Sequence, residues 1–580
     1  MTTFHVWAPK PESVALRVAD SETEVQDIPM TRNASDWWEV DFAATPGVRY
    51  QYVVDGDPLP DPRSPWQPQG VHGPSATVDH SAFQWTDHGF QAPPFSSALV
   101  YELHIGTFTP EGTFDSAIQN LSWLADLGVT HIEIMPVAEF PGRWGWGYDG
   151  VDLYAPHHDY GGPDALKRLV DACHSQGLAV ILDVVYNHLG PSGNYLARFG
   201  PYYTARHHTP WGEAINFDSA GSDEVRRFFC DNALMWIRDY HMDGLRLDAV
   251  HAYIDNSATH ILEQLALEIA RLKAELGRNL VLIAESDLNN PRIIRDREVG
   301  GYGIDAQWSD DFHHALHAAL TGERDGYYAD FGSIAQIAKA FRRAWVYDGC
   351  YSPHRRRTHG RPAVGLSGWK FLGYVQNHDQ IGNRARGERS SALISIGKLK
   401  IAAALVFTAP FVPMIFQGEE WGASTPFLYF TQHEDPELGH AVSEGRALEF
   451  ASFGWDVSEI PDPQNPATFE RSKLNWEECG REPHAGILDW YKKLIRLRRS
   501  FHDLLDGDFD RVHTDFNEEE NWLLVQRGGI ATACNLSNVS REIPVGSGFE
   551  ILLASAAAER KESCIRLSAE SVAVLRFPER

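Results

Sequence analysis

The sequence is poor in cysteine. Its six cysteines are scattered at positions 173, 230, 350, 479, 534 and 564 of 580 residues. No two form a CxxC pair or a zinc-binding spacing, which argues against a dithiol centre or a cysteine metal site. Several sit in apolar runs, as buried free thiols do, and that points to a reducing compartment. Long apolar runs are also missing, so no membrane-spanning segment is expected. The first residues, MTTFHVWAPKPES, carry neither a basic leader nor an apolar core. A signal peptide is therefore not expected, and the protein reads as cytoplasmic. Positive charge is scarce: 51 Lys and Arg stand against 79 Asp and Glu, a net charge of −28. That disfavours nucleic acid as a partner and leaves a neutral or cationic small molecule. There is no internal repeat and no low-complexity tract.

What is present is size and aromatic character. A chain of 580 residues exceeds one hydrophobic core and predicts several domains. The 18 Trp, 20 Tyr and 29 Phe would suit sugar rings, although most must serve as core. Residues 1–95 show short alternating runs, at 14–18, 37–42 and 50–54, separated by turn residues and a Pro-rich loop at 58–74. This predicts an N-terminal β-sandwich of the immunoglobulin-like, carbohydrate-binding-module kind. From residue 96 the pattern becomes strand–helix alternation. Strands are expected near 99–104, 130–135, 178–185, 244–248, 280–285, 304–308, 372–376 and 411–417. Helices are expected at 114–127, 163–176, 223–240, 258–276 and 486–499. Eight such strands predict an α/β fold with a (β/α)8 TIM barrel over 96–504. An irregular insertion at about 187–219 is too long for a simple connection and is expected to build the site. Short strands return at 505–580 and predict a C-terminal β-domain.

In such a barrel the functional groups collect at the C-terminal ends of the strands. Asp183, Asn187 and His188 follow strand three, Arg246 and Asp248 strand four, Glu285 strand five, and Asn377, His378 and Asp379 strand seven. Arg246 and Asp248 are two residues apart, so they share one face of their strand. A cation there keeps Asp248 ionised, as a nucleophile requires. Three acids without a metal-ligand spacing suggest glycoside chemistry. In that reading Asp248 is the nucleophile, Glu285 the general acid, and Asp379 holds sugar hydroxyls. Like charge from Asp248 and Asp379 is expected to raise the Glu285 pKa. Asp183 reads as structural.

The motifs DVVYNH (183–188), GLRLD (244–248), Glu285 and NHD (377–379) resemble, in order, the four signature regions of the α-amylase superfamily of glycoside hydrolases. Residues 308–314, 377–383, 416–427, 441–446, 461–464 and 472–476 more closely resemble the malto-oligosyltrehalose trehalohydrolases within it. The resemblance implies a retaining hydrolase that cleaves the α-1,4 bond beside the terminal trehalose unit of malto-oligosyltrehalose. A glucan-branching or debranching enzyme is the alternative. The resemblance implies catalysis by Asp248, Glu285 and Asp379. It also implies substrate contacts by Tyr148, His188, Arg246, Leu247, Ala249, Val250 and His251. The same is implied for Asp310, Asp311, Phe312, His313 and His314, and for His378, Gln380, Ile381, Gly382 and Asn383. His313 and His314 are adjacent on a helix, so only one can face the site. Gln380 and Asn383 could instead cap the following loop, and Asp310 and Asp311 could begin a helix. No metal and no cofactor are expected, and the assembly expected is a monomer or homodimer.

Overall fold

A computed structural model describes residues 2–21, 24–452 and 460–578. Eight parallel strands close into a barrel in sequential order. They are β1 Val100–Leu103, β2 His131–Ile134, β3 Ala179–Val184, β4 Gly244–Leu247, β5 Val281–Ala284, β6 Ala306–Trp308, β7 Phe371–Tyr374 and β8 Val412–Phe416. Every residue of β3 and β4 is buried, as expected for strands covered on both faces. Alternation splits the wall into two layers. Val100, Ile181, Val281, Ile283, Trp308, Tyr374 and Met414 fill the barrel interior. Leu103, Ile132, Leu182, Leu245 and Leu247 face the helices outside.

The helices keep the sequence-derived positions with shifted ends. Residues 162–175, 222–239, 261–276 and 484–500 are helical. The expected helix at 114–127 is instead three short pieces, Phe114–Ala117, Ile118–Asn120 and Leu121–Leu127. Thr113 caps the first, and Gly128 ends the last at φ +107°. Helices at 334–343 and 396–408 were not anticipated. The second is apolar on nearly all sides and so carries little periodicity to detect. The insertion at 187–219 is not wholly irregular: Tyr203–Thr209 and Gly212–Ile215 pair as a hairpin.

Before the barrel lie two antiparallel sheets, one of three strands and one of five, and after it another pair, of five and three. All six cysteines are free, with Cys173, Cys230 and Cys534 buried. No helix of the described residues is long and apolar enough to cross a membrane.

β4 opens on a glycine for a steric reason. A Cβ at Gly244 would lie 2.5 Å from the Val281 carbonyl oxygen on β5 and 2.6 Å from its Cγ1. Gly244→Ala should therefore destabilise the protein by about 1–3 kcal/mol, as overpacking does. Gly480→Ala, where nothing lies within 4 Å, should stay within about 0.5 kcal/mol of the parent. Denaturant unfolding of the two variants checks the contrast.

Candidate active site

The β4 ladder ends at Leu247, and the chain then turns across the barrel rim. The Asp248 N–H reaches the Val184 carbonyl at 3.1 Å. Ala249 takes a left-handed conformation at φ +40°, rare for a residue with a Cβ. The turn aims two backbone donors at one residue. Ala249 N donates to Glu285 Oε2 at 2.6 Å, and Val250 N donates to the Glu285 carbonyl at 3.0 Å. Asp248 and Glu285 are thus fixed by the same turn.

Beneath them lies the Arg246 guanidinium, completely buried. Its Nη1 donates to both Asp183 oxygens, at 2.9 and 2.8 Å, and to Asp248 Oδ1 at 2.7 Å. Its Nη2 lies 3.7 Å from Glu285 Oε2. The Trp308 ring supports its face, 4.2 Å from ring centroid to Cζ. Burial opposes the charge, but the neighbouring carboxyl groups, Asp183 first, outweigh it and hold Arg246 a cation. Burial raises Asp183 to about 6 despite Arg246.

Glu285 is held well above the usual carboxylate range. The expectation from like charge was incomplete. Burial is the largest cause; Arg246 opposes it, and Asp248, Asp310 and Asp379 add to it. Asp379 differs from the other two acids, with a side chain 41% exposed against 13% for Asp248 and 16% for Glu285. It sits on a short helix, His378–Gly382, capped by Asn377 and Gln380.

His378 and Tyr148 form the opposite wall. Tyr148 stacks on the His378 ring at 5.2 Å and joins Asp183 Oδ2 at 2.7 Å and His378 Nε2 at 2.8 Å. It is partly exposed and tied to the charged groups, not sealed in the core. His188 is also partly exposed, and its ring stacks on Trp211 at 4.7 Å and 5°. His251 is exposed next to the rim turn. Asp310 accepts the Tyr374 hydroxyl at 2.6 Å, and burial pushes its carboxyl up to about 7.

Several expected substrate contacts are corrected by the structure. Leu247 is fully buried on the helix side of its strand. Ala249 and Val250 are almost fully buried and contribute backbone N–H groups to Glu285 instead. Asp311 accepts Val346 N, Tyr347 N and Asn289 Nδ2, so it ties down a loop. Phe312 packs against Phe341 and Phe411. His313 is buried, with its ring nitrogens bonded to the Val375 carbonyl and the Tyr328 hydroxyl. His314, half-buried against Tyr327 and Phe331, is the one with surface left. Gln380 accepts Asn377 N as a cap. Ile381 is core, and Gly382 lies against Trp146. Asn383 reaches Asp379 Oδ1 at 3.4 Å and accepts Arg446 Nη1 at 3.0 Å.

Four residues at the site were missed. Glu102, Trp308 and Tyr374 were hidden inside strand runs. Trp211, 48% exposed at the hairpin tip, had one signal, an aromatic residue between Pro210 and Gly212. Among the described residues Glu139, His157 and His158 form the single cluster with metal-ligand spacing. His158 already donates to Glu139 through its backbone and its ring.

Three family models match parts of the chain. Residues 1–66 match carbohydrate-binding module 48 (isoamylase N-terminal domain), 77–207 the α-amylase catalytic domain, and 507–574 a domain of unknown function, DUF3459. A malto-oligosyltrehalose trehalohydrolase of Mycobacterium tuberculosis is 48% identical over all of both chains. One from Arthrobacter ramosus is 51% identical over 94% of this chain and 93% of its own. The chain belongs to the malto-oligosyltrehalose trehalohydrolase family. Similarity to a glucan branching enzyme of Vibrio parahaemolyticus is lower, 32% over 54% of this chain and 46% of that one. Among solved structures, an α-amylase-like protein of Salmonella typhimurium superposes with a TM-score of 0.91, at 38% identity over 99% of this chain and 97% of that one. In this trehalohydrolase-family chain Arg246 is the cation shared by Asp183, Asp248 and Glu285. Arg246→Ala would leave their buried charge uncompensated. Guanidinium unfolding should show a loss of about 3–5 kcal/mol.

Proposed function

We propose that the chain is a retaining glycoside hydrolase that cleaves the α-1,4-glucosidic bond beside the terminal trehalose unit of malto-oligosyltrehalose and releases trehalose. The observation that carries this reading is the full-length identity to trehalohydrolases. The barrel mouth supplies groups suited to the chemistry. Asp248, paired with Arg246, attacks the anomeric carbon as Glu285 gives its proton to the leaving oxygen. Burial favours the protonated form of Glu285 needed for that step. The resulting glycosyl-enzyme is opened by a water whose proton Glu285 takes back. Asp379 holds ring hydroxyls and favours the positive charge of the transition state. Tyr148 stacks on the sugar and His188 faces its hydroxyls; His378, expected to bond them too, is 1% exposed with both ring nitrogens engaged and instead supports Tyr148 from behind. No cofactor enters the scheme. The division into sandwich, barrel and C-terminal domain near residues 95 and 505, and a cytoplasmic location, belong to the same proposal.

Incubation with maltotriosyltrehalose and with maltopentaose tests the substrate. Free trehalose should be the main product of the first, while the second should react slowly. Rapid cleavage of maltopentaose without trehalose release, or chain transfer to a second glucan, would support the branching or debranching alternative. Asp248→Ala should lower kcat by about 10⁴-fold or more while oligosaccharide binding remains measurable by calorimetry.

The acid–base assignment has its own test. Asp310 is one of the charges that raise Glu285. Removing it in Asp310→Asn favours the ionised form of Glu285 and lowers its pKa. The alkaline limb of the kcat/KM profile should then move to lower pH. An unmoved limb would remove Glu285 as the group titrating there.

A further inference from the structure

The wall opposite the catalytic pair contains a charge that the mechanism above does not use. Glu102, on β1, is 1% exposed and lies inside the barrel. Its Oε1 meets His378 Nδ1 in a short contact, and its Oε2 accepts the His378 backbone N–H at 3.2 Å. Both bonds hold one residue from two sides.

The donors and acceptors around that histidine favour one state for it. The Tyr148 hydroxyl has one hydrogen and two polar neighbours, Asp183 Oδ2 at 2.7 Å and His378 Nε2 at 2.8 Å. Asp183 already accepts Arg246 Nη1 at both oxygens, so it is an acceptor toward Tyr148 as well. The phenol therefore gives its hydrogen to Asp183 and accepts one from His378 Nε2. The Glu102 carboxylate accepts at both oxygens, so His378 Nδ1 also carries a proton. With both nitrogens protonated, His378 is an imidazolium.

The surrounding charges agree. Burial opposes the cation, but Asp379 and Glu102 outweigh it and raise His378 to about 9. Arg246 on β4 works against it. Glu133, the register partner of Glu102 on β2, is held well above the usual carboxylate range by burial and by the charge of Glu102. His104, just past β1, is pushed down to about 3 and is neutral. The Trp146 and Trp308 rings pack edgewise on the imidazole and add no charge.

The result is a continuous chain in which His378 donates to Glu102 and to Tyr148, Tyr148 donates to Asp183, and Arg246 donates to Asp183 and to Asp248. We propose that Glu102 is a positioning residue that acts through His378, holding it as the doubly bonded donor that fixes the order of this chain. Glu102 touches no substrate; its effect passes through His378 to Tyr148, which stacks on the sugar, and on through Asp183 and Arg246 to Asp248. The proposal rests on the catalytic roles given above, but not on which glucan is cleaved.

Glu102→Gln tests it, because the shape is kept and the charge is lost. Any α-1,4-glucan that the enzyme turns over serves as the probe, so a failure of the trehalose assignment stays separate. A group with a raised pKa is protonated below that value and loses its proton as pH rises. Without Glu102 the His378 proton is lost at lower pH. Once His378 loses its proton before Glu285 does, it sets the alkaline limb of kcat/KM in place of Glu285, and the limb should move at least about one unit toward acid. At neutral pH kcat should fall about 10-fold or more, with KM changed much less. Glu102→Asp, which keeps the charge, should restore part of the limb. A Glu102→Gln profile superimposable on that of the parent overturns the proposal. So does a uniform loss of activity with no movement of the limb, the mark of a merely structural role. If Glu102→Gln does not fold, His378→Asn carries the test, and an alkaline limb identical to that of the parent in that variant is equally fatal.

Discussion

One buried guanidinium organises the mouth of the barrel. Arg246 has no exposed surface, yet it meets three carboxylates and one aromatic face. Burying a charge is unfavourable by several kcal/mol unless partners compensate it. Here the compensation doubles as chemistry, because one cation biases two acids differently. Asp248 receives a direct 2.7 Å hydrogen bond, whereas Glu285 stands 3.7 Å from the nearest nitrogen. The nearer carboxylate accepts the guanidinium directly, and the farther one is left to burial, which favours its proton. A nucleophile and an acid can thus come from two carboxyl groups on adjacent strands.

The fold delivers this pairing through register. Asp183 faces Arg246 across β3 and β4, and Arg246 faces Ile283 across β4 and β5. The parallel ladder sets the depth of each group, and the left-handed turn at Ala249 then brings backbone donors under Glu285. Two strand ends and one strained residue therefore define the reacting geometry.

The strand ends were legible because they obey local rules. Alternation placed Arg246 and Asp248 on one face, and an apolar run ending in Glu285 marked a rim position. Contiguity misled where the same rules were ignored. The family resemblance marks residues 246–251, 310–314 and 378–383 as whole contact segments, yet neighbours on a strand or helix point different ways. Leu247, Phe312, His313 and Ile381 accordingly turn into the core. Glu102 was unreadable for another reason. Its partner lies 276 residues away, and the two meet only when the barrel closes. Trp211 reaches His188 from an inserted hairpin whose fold no periodicity announced.

The three acids are also held by different means. Asp248 and Glu285 are fixed at the ends of barrel strands. Asp379 stands on a five-residue helix, with a side chain roughly three times as exposed as the other two, and its neighbour Asn383 is held by Arg446 from a distant segment. In the proposed mechanism, bond-breaking and sugar-gripping are thereby mounted on separate parts of the molecule. The short helix that carries the third acid can then be remodelled without moving the strand ends that hold the other two, while the charge of Asp379 still reaches across and raises Glu285.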